Sequence, residues 1–173
     1  MLLFGGILWN LGITFGLLGI LDGHMNSHEM LEMPNEVWPL LFVSYTIISC
    51  MVIVMHRSRK SHVTIAPQWF ILASLLWFPA LFIIAWNGLE INPARGTVQS
   101  VLSMWFGQSL IWLWLTPFAL GVAYYVIPAI TGKTIDKYYL AIFGFWCIAT
   151  LAPWSVVHHL EGGPVPMWIP AIG

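Results

Sequence analysis

Two adjacent histidines, His158 and His159, are the densest chemistry in this chain. Neighbours on a regular helix point about 100° apart, so they face one ion only where the helix is disturbed. Pro153 upstream and Gly162-Gly163-Pro164 downstream supply such a break. Imidazole suits copper, iron and zinc; the competing reading is a capped, solvated helix end. His24 and His28 stand beside Glu29 and Glu32. If helical they share a face and clamp a cation, whereas the plainer reading is a solvated acidic loop. His56 and His62 flank a basic stretch and read as residues at a polar–apolar boundary. Gln108 lies inside an apolar run, where a carboxamide ordinarily bonds a neighbouring helix. Ser103, Ser109 and Thr116 can satisfy their hydroxyls on the preceding turn. Cys50 and Cys147 form no Cys-x-x-Cys pair and read as buried thiols.

The elements that must position these groups follow from composition. The chain of 173 residues is 59% hydrophobic and 8% charged, with a mean hydropathy of +0.82. Soluble domains carry about a quarter charged residues, so lipid must be the solvent here. A net charge of -1 excludes a phosphate-neutralising nucleic-acid binder. Five apolar runs are long enough to span: residues 2–21, 37–55, 67–87, 98–128 and 138–158. Each approaches or exceeds the roughly 20 residues a crossing helix needs. Unpaired backbone groups are forbidden in hydrocarbon, and the runs are too long and too uniform for barrel strands. The expected fold is therefore all-α: a polytopic transmembrane bundle of about five helices, forming one transmembrane region over 1–173. The fourth run is long enough to tilt, to bend near Pro117, or to leave the bilayer at Tyr124-Tyr125.

Nearly all charge falls between the spans. The first connection carries Asp22, Glu29, Glu32 and Glu36; the second and fourth hold Arg57, Arg59, Lys60, Lys133 and Lys137, five of the six Lys and Arg residues. The positive-inside rule makes that side cytoplasmic, with the N-terminus on it. Gln108 and the His158-His159 pair then share the outer half of the membrane. Of 11 tryptophans, Trp38, Trp69, Trp86 and Trp168 read as interface anchors, and Trp105, Trp112 and Trp114 as deeper packing or the lining of a flat cofactor. The start lacks the positive region of a signal peptide, and both ends read as cuts through a longer polytopic protein. No triad, P-loop or dinucleotide fingerprint is present.

The later half of the chain resembles the catalytic subunit of the haem–copper oxidases, specifically the C-family of cbb-type cytochrome c oxidases. The resemblance is carried by Met104-Trp105-Phe106-Gly107-Gln108-Ser109, Leu115-Thr116, Tyr124-Tyr125-x-x-Pro128 and Tyr138-Tyr139-Leu140. It continues through Phe145-Trp146, His158-His159-Leu160 and Pro166-Met167-Trp168. Upstream, Leu8-Trp9-Asn10-Leu11-Gly12-Ile13-Thr14, Trp38-Pro39, His62-Val63 and Gln68-Trp69-Phe70 extend it over essentially the whole chain. The resemblance implies helices three to seven of a twelve-helix bundle, hence a partial haem–copper oxidase subunit I fold. It implies haem b and copper as cofactors, with the haem-ligating histidines in helices that have no counterpart here. It further implies a bacterial cytoplasmic membrane, partner subunits that supply the remaining helices, and c-type cytochrome subunits. At the copper, it assigns two of three histidine ligands to His158 and His159. The third falls on Gln108, and the tyrosine that the family links to it falls on Ala152.

Three functional readings follow. The first is a membrane-embedded part of a cbb-type-like cytochrome c oxidase subunit I, or of a nitric-oxide-reductase-like relative in which the tyrosine is dispensable. Its active-site metal position is degenerate, and the chain is not expected to be catalytic alone. The second is an accessory or structural membrane subunit that keeps the packing without the redox chemistry. The third, a small transporter or channel, finds little support, since no pair of interrupted half-helices repeats between halves.

Overall fold

In the computed structural model, which describes residues 1–60 and 64–172, all regular structure among those residues is helical. Helix α1 is Leu2–Leu21, α2 is Trp38–Arg57 and α3 is Ala66–Trp86, running on as a π-helical turn, Asn87–Ile91. Helix α4, Thr97–Ser109, passes through a π-helical segment, Leu110–Leu115, into α5, Thr116–Thr131. Helix α6, Tyr138–Leu151, tightens into a 3₁₀ helix, Ala152–Leu160, and a short α7 covers Trp168–Ile172. Five of the resulting rods are long and apolar enough to cross a membrane. The chain divides into two units, Met1–His62 and Val63–Gly173.

The first unit is a hairpin of α1 and α2. Gly5, Gly12 and Gly16 are buried along α1. A Cβ on Gly12 would stand 2.6 Å from Leu41 Cδ2, and one on Gly16 2.5 Å from Met33 Sδ. Absent side chains are thus what admit the neighbouring chain. Between helices in lipid there is little hydrophobic drive, so close van der Waals approach supplies the attraction. Trp9 leans on Tyr45 with ring centres 5.6 Å apart, and the Trp38 indole N–H donates to the Met33 carbonyl at 3.0 Å. The acidic connection is a turn-rich loop. Asn26 and Asn35 close it through their side-chain amides at 2.5 Å, and Met30 takes a left-handed φ of 62°.

The second unit is held by aromatic packing. Phe70, Phe82 and Phe106 are among its most buried side chains. Phe78 meets Trp114 at 4.6 Å, and Phe145 stacks on Trp77 at 5.7 Å while meeting Phe70 edge-on at 5.3 Å. Trp69 does more than anchor at an interface: its indole N–H donates to the Tyr138 hydroxyl at 3.0 Å. That hydroxyl donates in turn to the Thr64 carbonyl at 3.1 Å, so the first turns of α3 and α6 are tied together. The Gln68 side chain folds back to accept the Ile65 N–H at 3.2 Å, satisfying one of the free donors at the start of α3.

The Thr97–Thr131 rod is 35 residues long. At 1.5 Å per residue it spans about 50 Å, well beyond a hydrocarbon core of about 30 Å. Its irregularity lies just ahead of Pro117, at Leu110–Leu115. Proline lacks an N–H and its ring crowds the carbonyl a turn earlier, which widens the ladder before it. Gly132, with φ 65°, ends α5 by donating to the Pro128 carbonyl at 3.0 Å, as a left-handed glycine commonly does.

The Gly12 contact predicts a stability difference. Gly12→Val overpacks the α1–α2 seam and should cost about 1–3 kcal/mol in denaturant melts in detergent. Gly6→Ala, whose new Cβ meets nothing within 4 Å, should be close to neutral.

Candidate functional site

Two irregular stretches of backbone bring the chemistry-bearing residues of the second unit together. Gln108 lies at the end of α4, immediately before the π-helical segment. His158 and His159 are carried by the 3₁₀ helix that begins at Ala152, with Pro153 in its first turn. The break anticipated from Pro153 is therefore a change of helix type rather than a kink. Successive residues of a 3₁₀ helix point about 120° apart, yet the two imidazole centres are 4.0 Å apart, with planes tilted by 37°.

The hydrogen bonds fix which nitrogens are committed. His158 Nδ1 pairs with the Ser155 carbonyl, three residues back. A carbonyl only accepts, so Nδ1 carries the proton and Nε2 keeps a free lone pair in the neutral ring. His159 Nε2 lies 3.1 Å from the Gln108 carboxamide nitrogen. An amide presents a donor at one end and an acceptor at the other, and a half-turn of its side chain exchanges them. Gln108 can thus satisfy His159 Nε2 in either tautomer. Gln108 and His159 are separated by 51 positions in sequence, and this contact joins α4 to the 3₁₀ helix. Both histidines are exposed at the surface of the unit.

Two cavities adjoin the site. One of 630 Å³ is lined by Trp112, Leu151, Ala152, Trp154 and Ser155, among others. It opens beside the small Ala152 side chain, and Trp112 lies one turn beyond Gln108. The other, of 450 Å³, is lined by Thr97, Ser100, Met104, His159 and Glu161 and by the loop that follows. Next to Gln108, the Ser109 hydroxyl is buried and has no hydrogen-bond partner among the described residues.

The remaining histidine readings come apart. His24 Nδ1 meets the Asp22 carboxylate at 3.3 Å, both side chains largely exposed. The chain beyond it is turns and coil rather than helix, so His24 and His28 do not share a helical face. His56 lies in the last turn of α2, and His62 lies outside the described residues. Ser155 was not singled out by sequence reasoning; its only signal is a spacing, three residues before His158, and such spacings are common.

The resemblance implies a copper ion held by three imidazoles at this place. The residues present do not fit that centre. The third position is a carboxamide, a poor ligand for copper(I), and it engages the very ring nitrogen that would face it. Among the described residues no group of three or more His, Cys, Asp or Glu side chains converges on one point. With metal–nitrogen bonds of about 2.0 Å, two rings ligating one ion at a tetrahedral angle would have centres roughly 5 Å apart. The observed 4.0 Å is closer.

Compared with known proteins, residues 1–173 match the family described as Cytochrome C and Quinol oxidase polypeptide I. The chain is 25% identical, over 95% of its length, to the Cbb3-type cytochrome c oxidase subunit CcoN1 of Stutzerimonas stutzeri, of which it covers 36%. It is 27% identical, over 99% of its length, to the cytochrome c oxidase subunit 1 homolog of Agrobacterium tumefaciens (strain T37), covering 34% of that protein. With the cytochrome c oxidase subunit 1 of Rhodobacter capsulatus it shares 24% identity over 95% of its length and 32% of the relative's. The chain spans about a third of the length of these curated relatives.

The Gln108–His159 contact predicts that Gln108→Leu removes a polar tie between α4 and the 3₁₀ helix. The expected loss is about 1 kcal/mol, read as a lower melting point of the detergent-solubilised protein. Gln108→Asn, too short to span the gap, should lose about as much.

Proposed function

This chain belongs to the cytochrome c and quinol oxidase polypeptide I family, and on that premise we propose that it is the membrane-embedded part of a cbb-type-like cytochrome c oxidase subunit I in a respiratory electron-transfer complex. The observation that carries this reading is the match of residues 1–173 to the family, together with the likeness over 95% of the chain to a Cbb3-type cytochrome c oxidase subunit. It is an integral membrane protein. His158 and His159 are the candidate copper ligands that it contributes. Gln108 and Ala152 are the degenerate positions, one imidazole and one phenol short of the family's set. When bound, haem b and copper would supply the redox chemistry. The residues of this chain would orient the His pair, through the Ser155 carbonyl and the Gln108 amide, and line the apolar space beside Ala152. Other membrane subunits would provide the remaining helices, and c-type cytochrome subunits would be further partners.

A second reading, an accessory subunit of that fold without redox chemistry, is favoured by one specific contact. The Gln108 amide pairs with His159 Nε2 at 3.1 Å, a polar joint between α4 and the 3₁₀ helix of the kind a structural subunit would use.

Haem separates the two. The complex purified through this chain should contain haem b, measured as the pyridine haemochrome, in fixed ratio to the polypeptide. A complex without haem would leave only the accessory reading standing. The family implies a bacterial cytoplasmic membrane, and the positive-inside rule applied to the charged connections supports an N-terminus on its inner side. Lys133→Cys should then react with a membrane-impermeant maleimide only in inverted vesicles, and Glu29→Cys only in intact cells stripped of their outer membrane.

A further inference from the structure

The Thr97–Thr131 rod outreaches the hydrocarbon it crosses, and a recess stands at its far end. At about 50 Å against a core of about 30 Å, about 20 Å of the rod lies outside the hydrocarbon. Shared between the two ends, that excess puts about the last seven residues of α5 at headgroup level. Tyr124 and Tyr125 fall at the boundary, where the amphipathic phenol is favoured. A cavity of 270 Å³ opens beside these turns. Ala123, Ile127 and Pro128 line it on the side toward the membrane centre, and Thr131, Lys133 and Thr134 line its outer side. The left-handed Gly132 ends the helix, and the Lys133 N–H donates to Thr131 Oγ1 at 3.4 Å. The departing chain is thereby held against the helix end, and Ile135 closes the recess.

The charges left open there have one sign. The Lys133 ammonium and the Thr134 hydroxyl have no partner among the described residues. No carboxylate lines the recess, and Asp136, the nearest acid in sequence, pairs with neither Lys133 nor Lys137 among the described residues. The carbonyl end of α5 opposes an anion. Its Ile127 and Pro128 carbonyls, however, already accept from the Thr131 hydroxyl and the Gly132 N–H, which leaves the ammonium as the dominant charge.

We propose that this recess seats an anionic phospholipid, with its phosphate at Lys133 and Thr134 and the start of an acyl chain along Ala123 and Ile127. A free cation and a hydroxyl recognise the phosphate, and the apolar wall on the membrane side selects an amphiphile over a soluble anion. The site requires only that the rod span a bilayer, so it goes beyond both functional readings and holds for either.

The test uses the full chain in the complex in which it is expressed, washed of lipid in detergent and titrated with dioleoylphosphatidylglycerol under native mass spectrometry. One lipid per chain should be retained, more tightly than dioleoylphosphatidylcholine. Lys133→Gln should weaken that binding about fivefold, while Lys133→Arg keeps it. Lys137→Gln removes the same charge from the same connection outside the recess and should leave binding near its original strength. Ala123→Leu, which fills the apolar wall without changing charge, should weaken it as well. These exposed or half-buried positions leave the core intact, and circular dichroism checks the helix content of each variant. Equal losses from Lys133→Gln and Lys137→Gln reveal a diffuse basic surface and overturn the inference. So does equal affinity for the zwitterionic lipid, or binding that Lys133→Gln or Ala123→Leu leaves unchanged. Displacement of the lipid by millimolar inorganic phosphate identifies a free-phosphate site and overturns it too.

Discussion

Hydrocarbon offers no water to an unpaired N–H or C=O, and that absence governs this chain more than any single contact. Each span must close its backbone hydrogen bonds within itself, so the apolar runs become helices whatever their side chains. The constraint also makes departures from α-helix informative. A π-helical segment at Leu110–Leu115 and a 3₁₀ helix at Ala152–Leu160 leave backbone groups in non-standard pairings. Each is associated with a proline, Pro117 or Pro153, whose missing N–H removes one bond from the ladder there. The Gln108–His159 contact joins the edges of these two irregular stretches. Backbone that cannot be regular is thus placed where polar side chains gather to share the burden.

The two units answer the same solvent by different packing. Lipid tails are as apolar as leucine, so helices gain by fitting rather than by hiding from water. The α1–α2 hairpin fits through missing atoms, with Gly12 receiving Leu41 and Gly16 receiving Met33. The second unit fits through large flat rings: Phe145 against Trp77 and Phe70, and Phe78 against Trp114. Aromatic pairs contribute about 0.5–1.5 kcal/mol each beyond their buried area. Ridges of rings therefore replace glycine grooves without loss of cohesion.

Much of this could be read from the sequence, because a bilayer turns composition into architecture. Long uncharged runs, charged connections and the absence of alternation leave a helical bundle as the one fold that closes its hydrogen bonds. The break at the His pair was legible in Pro153 and the Gly162-Gly163-Pro164 stretch. The type of break was not, since 3₁₀ and π-helical turns differ from α by one residue of hydrogen-bond register and leave no compositional trace. Depth along a span could be estimated for Gln108 and His159, but azimuth could not. A contact across 51 positions depends on how two helices are rotated, and uniformly apolar helices give no amphipathic face from which to infer rotation. The acidic loop was ambiguous for a similar reason. His24 and His28 have helical spacing, but the Asn26–Asn35 bridge and the left-handed Met30 impose a turn that spacing cannot announce.

A carboxamide at position 108 follows a physical logic of its own. A histidine pair beside apolar helices must have partners, and a metal ion is only one way to provide them. The Ser155 carbonyl serves His158 with a fixed polarity, because it can only accept. Position 108 has the harder task, since His159 can present either a proton or a lone pair. An imidazole there would match it only in complementary tautomers, and a hydroxyl would be too short. A carboxamide carries donor and acceptor on one rigid plane and meets both cases. The neighbouring Ser109 hydroxyl, buried without a partner among the described residues, shows what the alternative costs: about 1–3 kcal/mol for a buried polar group left unsatisfied. Glutamine at this position therefore serves His159 in either tautomer and keeps α4 joined to the 3₁₀ helix.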